Sequence, residues 1–125
     1  MSIHHIKLGT VEVLNDDIAL VVGKEGVDID LPAFHEMMYL LGKLFPNGVK
    51  LISDKRNAFG SSLEVMLEAP KHSLLKATAF VVYSNIGKLA AETQVSLADD
   101  VQPVKIFSGD NGVLEAQKWL EQLDV

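Results

Sequence analysis

Residues 79–90, AFVVYSNIGKLA, contain the pattern that decides the fold class. The first five form an unbroken apolar run, which is typical of a strand buried on both faces of a sheet. Ser84 interrupts the run, and Ile86, Leu89 and Ala90 then follow at the three- and four-residue spacing of an amphipathic helix. A doubly apolar strand followed directly by such a helix is the building unit of a parallel α/β sheet.

The same alternation of strand and helix extends in both directions along the chain. Strands are predicted at 10–13, 18–22, 49–53, 79–83 and 104–107, and helices at 32–45, 61–69, 85–97 and 111–123. The first strand alternates polar and apolar residues and suits an antiparallel edge. The predicted fold is therefore α/β in the order ββαβαβαβα, with a mainly parallel five-stranded sheet. No linker, repeat or low-complexity segment interrupts the chain, so we expect a single domain spanning 1–125.

Composition and charge exclude several classes of function. The chain has 125 residues and no cysteine, which rules out disulfide frameworks, thiolate metal ligands and thiol nucleophiles, and favours a cytoplasmic location. Eleven basic and 17 acidic residues give a net charge of −6, which repels nucleic acid and anionic lipid. The apolar runs are much shorter than the ~20 residues of a transmembrane helix. We therefore expect no nucleic-acid partner and no membrane span.

Three short stretches carry a resemblance to a known family. They are LISD at residues 51–54, TAFVV at residues 78–82, and an F-x8-A-x2-W-L ending formed by Phe107, Ala116, Trp119 and Leu120. These stretches resemble the SpoIIAA-like group of the STAS superfamily, the anti-sigma-factor antagonists, whose fold is also compared with the lipid-binding SEC14 fold. The resemblance implies that strands two to five lie side by side in chain order. The matching residues are core positions, so they bear on fold more than on activity.

The start of the second predicted helix bears on a regulatory role. At this point sporulation-type antagonists carry an acid, two serines and a glycine, and a partner kinase phosphorylates one serine. Here Gly60 stands in place of the acid, and the glycine before Leu63 is missing. The resemblance implies that Ser61 or Ser62 could carry a phosphate. The S-x-x-E spacing from Ser61 to Glu64 instead predicts a helix cap, in which Ser61 has only a structural role.

A candidate binding site lies where the predicted strands end, because ligands gather at the carboxyl ends of parallel strands. Arg56 is the only arginine in the chain, and its guanidinium suits a forked pair with a carboxylate or phosphate. Asp54 would orient that guanidinium. Together with Ser61 and Ser62, these residues form the predicted partner- or anion-binding rim. The simpler alternative is a solvated arginine that pairs with a neighbouring acid.

No sequence pattern indicates catalysis. The four histidines, His4, His5, His35 and His72, lack the H-E-x-x-H spacing of a zinc site, and we expect them to be solvated. The chain also lacks the G-x-S-x-G, G-x-G-x-x-G and P-loop motifs. We therefore expect no enzymatic activity, no metal and no cofactor.

Apolar residues suggest two further possibilities. Met37 and Met38 share a helical stripe with Leu41, and although such residues usually fill a core, flexible side chains also line ligand cavities. With Trp119 they form a predicted cavity for a small apolar ligand. Doubly apolar strands also need a cover on each face, from a helix, from residues 3–8 or from a second copy of the chain.

The sequence therefore predicts a non-catalytic protein-interaction or regulatory module of the SpoIIAA-like, STAS type. Its partner is another protein or a second copy of the chain, and a homodimer is expected. The alternative is a small-ligand or lipid-binding domain of SEC14-like character.

Overall fold

The computed structural model describes residues 2–57 and 59–125. The strands are β1 (Ile3–Ile6), β2 (Gly9–Val13), β3 (Ile18–Gly23), β4 (Asp28–Ile29), β5 (Val49–Asp54), β6 (Gly60–Ser61), β7 (Leu75–Val82) and β8 (Val104–Ser108). The helices are α1 (Leu31–Leu44), α2 (Leu63–Glu68), α3 (Asn85–Ala98) and α4 (Gly112–Gln122), and a 3-10 turn (Ala69–Lys71) follows α2.

The main sheet has the strand order β1-β2-β3-β5-β7-β8. The pairings of β1 with β2 and of β2 with β3 are antiparallel, and the later pairings in this sheet are parallel. The predicted α/β class with a mainly parallel sheet is therefore confirmed. The sheet has six strands rather than five, because residues 3–6 fold back on β2, with Ile3 opposite Glu12 and Ile6 opposite Gly9. The strands β4 and β6 form a separate two-stranded parallel sheet.

The two faces of the main sheet are covered by different helices. On one face, Val21 and Leu51 of the sheet pack with Met37 of α1 in the larger core cluster. On the opposite face, Ile52 packs with Leu120 of α4. We call these the three-helix face, which carries α1, α2 and α3, and the α4 face. Because the chain covers both faces itself, the doubly apolar strands do not require a second copy to bury them.

Helix α4 is held against the sheet at both of its ends. At its start, a Cβ on Gly112 would lie 2.5 Å from Cγ1 of Val81, so only glycine allows this close approach. At its end, the Nζ of Lys50 donates to the carbonyl oxygens of Leu120 at 2.8 Å and Leu123 at 3.0 Å. Lys50 also forms a 3.4 Å ion pair with Asp17. A buried ammonium thus satisfies carbonyls that the end of a helix leaves free.

Helix α2 starts one residue later than the S-x-x-E spacing predicted. The Ser62 hydroxyl accepts the Val65 N–H at 3.3 Å, so Ser62 is the N-cap and the prediction for Ser61 is wrong. The reason is tertiary. Ser61 is held in extended β6, where it pairs with Ile29, and the Ser62 N–H donates to the Ile29 carbonyl. The helix gives way to the 3-10 turn before Pro70, as the proline predicted.

Candidate functional site

The segment that connects β5 to α2 crosses over the end of β3. It contributes Phe59 and Ser61 to the wall of an apolar cavity, which is the candidate site. The Asn57 Nδ2 donates to the carbonyl of Gly23 at 3.0 Å, and the Gly60 N–H donates to the carbonyl of Val27 at 3.0 Å. A Cβ on Gly23 would lie 2.7 Å from the Phe59 ring. Glycine at that position lets the ring lie directly on the strand, which places Phe59 beside the adjacent cavity.

An apolar cavity of about 90 Å³, partly open to solvent, lies between the three-helix face and its helices. Its walls include Leu51 and Phe80 from the sheet, Met37 from α1, Val65 from α2 and Ala98 from α3. Each helix of this face therefore contributes to the cavity.

Lys55 is the one charged side chain among the described residues that line the cavity. Its Nζ lies 4.8 Å from the centroid of the Phe59 ring and 5.5 Å from that of Phe80. Within residues 2–57 and 59–125 this ammonium has no carboxylate in ion-pair contact. Burial lowers the pKa of the Lys55 amine from the ordinary 10.5 to about 8. The two rings stabilise the cation only in part, since such contacts contribute about 0.5–2 kcal/mol.

Two glutamines contribute polar groups to the same cavity. The Gln102 Oε1 accepts the Thr78 hydroxyl at 2.9 Å, and its Nε2 donates to the Pro70 carbonyl at 3.4 Å. Among the described residues, the Oε1 of Gln94 is the one buried side-chain nitrogen or oxygen that has no hydrogen-bond partner. Gln102 is therefore structural, whereas Gln94 leaves an unused acceptor.

Asp54 forms a second polar cluster with Arg56 and Tyr83. Its carboxylate is fully buried and accepts the Arg56 backbone N–H at 2.9 Å, the Arg56 Nη2 at 2.7 Å and the Tyr83 hydroxyl at 3.0 Å. The hydrogen bond to Asp54 raises the pKa of the Arg56 guanidinium, and burial followed by the Asp54 charge raises the pKa of Tyr83. Asp54 therefore orients Arg56, which leaves half of the arginine side chain exposed.

The four residues predicted as one anion-binding rim occupy separate environments. Asp54 and Arg56 belong to the cluster with Tyr83. Ser61 lines the cavity, and Ser62 caps α2. In the described part of the chain, no hydrogen bond or ion pair joins either serine to Asp54 or Arg56. Side chains alternate along a strand, so Asp54 points away from the face that Ser53 and Lys55 share.

The predicted ligand cavity is also divided by the sheet. Met37 lines the cavity, and Met38 and Leu41 are buried in the core cluster that contains it. Trp119 packs on the α4 face, where its ring lies 5.8 Å from that of Phe107. The apolar stripe of a helix predicts that the helix packs on the sheet, but it does not predict which face of the sheet the helix covers. The methionines and Trp119 therefore could not be placed relative to each other from periodicity alone.

Lys55 and Gln94 were not among the site residues predicted from the sequence. Lys55 follows Leu51 and Ser53 at intervals of two, so strand alternation already directed it toward the apolar face. Gln94 lies three residues after Ala91 and four before Ala98, on the inner side of α3. Each residue has a polar side chain at a position in phase with buried apolar residues, which are Leu51 for Lys55 and Ala91 and Ala98 for Gln94.

Comparisons of the chain with protein-family models, curated proteins and solved structures give no significant match. The SpoIIAA-like resemblance therefore stays a prediction made from the residues.

Two further features are absent from residues 2–57 and 59–125. No three histidine, aspartate or glutamate side chains come together in a way that could hold a metal ion. None of the helices is both apolar enough and long enough to cross a bilayer.

Proposed function

We propose that this chain is a non-catalytic binding module whose cavity on the three-helix face takes a small, mainly apolar ligand. The observation that carries the proposal is the cavity itself, with apolar walls and one partly desolvated ammonium that has no anionic partner among the described residues. This proposal favours the ligand-binding alternative from the sequence, with a different set of residues in the site.

The size of the cavity limits the ligand. An engineered cavity of about 150 Å³ holds benzene. The smaller volume of about 90 Å³ found here suits a molecule of about four to six non-hydrogen atoms. Apolar side chains that line a cavity make fewer packing contacts than those of a filled core, which lowers stability. The cavity here is therefore consistent with a use in binding.

Xenon offers a test that does not depend on knowing the ligand. We expect pressurised xenon to shift the amide NMR signals of residues that line the cavity, such as Leu51 and Ala98. The variant Val65→Phe, which fills the cavity, should abolish those shifts. The control Leu114→Phe, at an exposed position on α4, should leave them unchanged. Absent shifts in the wild type, or shifts that persist in a folded Val65→Phe variant, would overturn the proposal.

A second candidate function is self-association through the outer surface of α2 and α3. Leu63, Ile86 and Leu89 are exposed there by 60%, 83% and 65%. Helix α3 carries only one lysine and one glutamate in 14 residues, so like charges would oppose the approach of a second copy only weakly. These observations favour a homodimer formed through this surface. Because the same helices enclose the cavity, the proposed dimer and ligand would act on one structural element, as a regulatory module requires.

Sedimentation equilibrium tests the dimer separately from the cavity. We expect the wild type to dimerise at micromolar concentration and Leu89→Glu to be monomeric. The matched variant Leu114→Glu, which adds the same charge on α4, should still dimerise. A monomeric wild type would reject the dimer and leave the cavity proposal standing.

A further inference from the structure

We infer that the ligand is a short-chain monocarboxylate, whose carboxylate pairs with the Lys55 ammonium while its hydrocarbon tail lies against the apolar walls. This inference rests on the proposed function, because it assigns the chemical class of the molecule that the cavity holds.

The position of the ammonium is built into the fold. The Lys55 N–H donates to the Val81 carbonyl at 2.9 Å, which fixes the backbone of this residue to β7. The Phe59 and Phe80 rings flank the end of the side chain. The ammonium therefore lies at the cavity wall, beside both rings.

The charge of the site selects the head group. A desolvated cation is stabilised most by an anion that also accepts its hydrogen bonds. With a pKa of about 8 the amine is mostly protonated at neutral pH, so it can meet an anion there. No second cation lines the described walls. One positive charge balances one carboxylate, whereas a phosphate dianion would bring an uncompensated charge into apolar surroundings.

The walls select the tail. The side chains of Leu51, Val65 and Met37 are apolar and cannot pair with a second charged group on the ligand. The volume of about 90 Å³ admits only a few carbon atoms. A four-carbon acid such as butyrate matches both properties. Longer chains would have to extend through the open side of the cavity.

The test compares ligands of one length with different heads. Butyrate, 1-butanol and monobutyl phosphate are titrated into the full chain and followed by amide NMR shifts. We expect butyrate to bind at least tenfold more tightly than 1-butanol or monobutyl phosphate. In Lys55→Met the affinity for butyrate should fall about tenfold, and the affinity for 1-butanol should stay the same. Lys55→Gln serves as a second variant if Lys55→Met fails to fold.

Lys24→Met is the matched control, since Lys24 is exposed beyond the end of β3 and its loss changes the net charge equally. This variant should bind butyrate as the wild type does. Equal binding of butyrate and 1-butanol, unchanged by Lys55→Met, would overturn the carboxylate inference but leave the cavity function intact. Tighter binding of monobutyl phosphate would also overturn it. Failure of all three ligands and of xenon would instead overturn the proposed function.

Discussion

Lys50 and Lys55 lie five residues apart in the sequence, and the surroundings of their ammonium groups differ in the number of oxygen partners. Lys50, on the α4 face, donates to two carbonyl oxygens of α4 and pairs with Asp17. The Lys55 ammonium, on the three-helix face, has two aromatic rings as neighbours and no ion pair among the described residues. An ammonium that loses part of its hydration is costly unless oxygens replace the lost water. The chain supplies those oxygens to Lys50, and we infer that a ligand supplies them to Lys55.

The largest expected effect is that of removing the partnered lysine. Lys50→Met should lower the free energy of unfolding by about 3 kcal/mol, because two charge-assisted hydrogen bonds to the end of α4 are lost together. Urea denaturation of the wild type and the variant measures the difference. A loss below about 1 kcal/mol would contradict the structural role given to Lys50.

The same substitution at Lys55, the unpartnered lysine, should change the free energy of unfolding in the opposite direction. At pH 7 Lys55→Met should raise the free energy of unfolding by about 2 kcal/mol, because it removes a partly desolvated cation from the cavity wall. The folded amine has a pKa of about 8 and the unfolded amine about 10.5, so the unfolded chain binds more protons between those values.

Wild-type stability should therefore rise with pH from about 8 to 10.5 relative to Lys55→Met. Urea denaturation at pH 7 and at pH 10.5 measures how the advantage of the variant shrinks. An advantage that stays constant across this window would show that Lys55 is not desolvated. Tyr83 is present in both proteins, so its own titration cancels in the difference.

Two adjacent serines extend the comparison to neutral groups. Ser62→Ala should cost about 1 kcal/mol of unfolding free energy, because the Val65 N–H loses its cap. Ser61→Ala, one residue earlier in β6, should cost less than about 0.5 kcal/mol. Chemical denaturation of both variants distinguishes them. Equal losses would contradict the position of the cap.

The smallest expected effect concerns the other unpartnered polar group of the cavity. Gln94→Leu should stabilise the free protein by about 0.5 kcal/mol, because a buried oxygen without a hydrogen bond is replaced by an apolar group of similar size. Gln102→Leu, which removes two hydrogen bonds, is the matched control and should destabilise. Thermal unfolding of the two variants measures both signs. Destabilisation by Gln94→Leu would mean that this glutamine has a partner in solution.

Periodicity in the sequence was enough to predict the strands and helices, but not to predict how they are arranged around the site. The doubly apolar run at 79–83 and the helical spacing after Asn85 predicted a parallel α/β sheet, because both patterns are local. The assignment of helices to faces depends on tertiary packing, so Trp119 was grouped with Met37 across the sheet. A strand of two residues is too short to show a periodic pattern, so β6 could not be predicted from the sequence. Its presence moves the N-cap of α2 from Ser61 to Ser62.

The most direct test is the titration of the Lys55 amine itself, followed by NMR of the side-chain carbon beside Nζ. In the free protein we expect a pKa of about 8, which should move back toward 10.5 when butyrate is saturating, because a carboxylate stabilises the charged form. An ordinary pKa in the free protein, or a low pKa that saturating butyrate leaves unchanged, would contradict the claim that the Lys55 ammonium binds an anionic ligand.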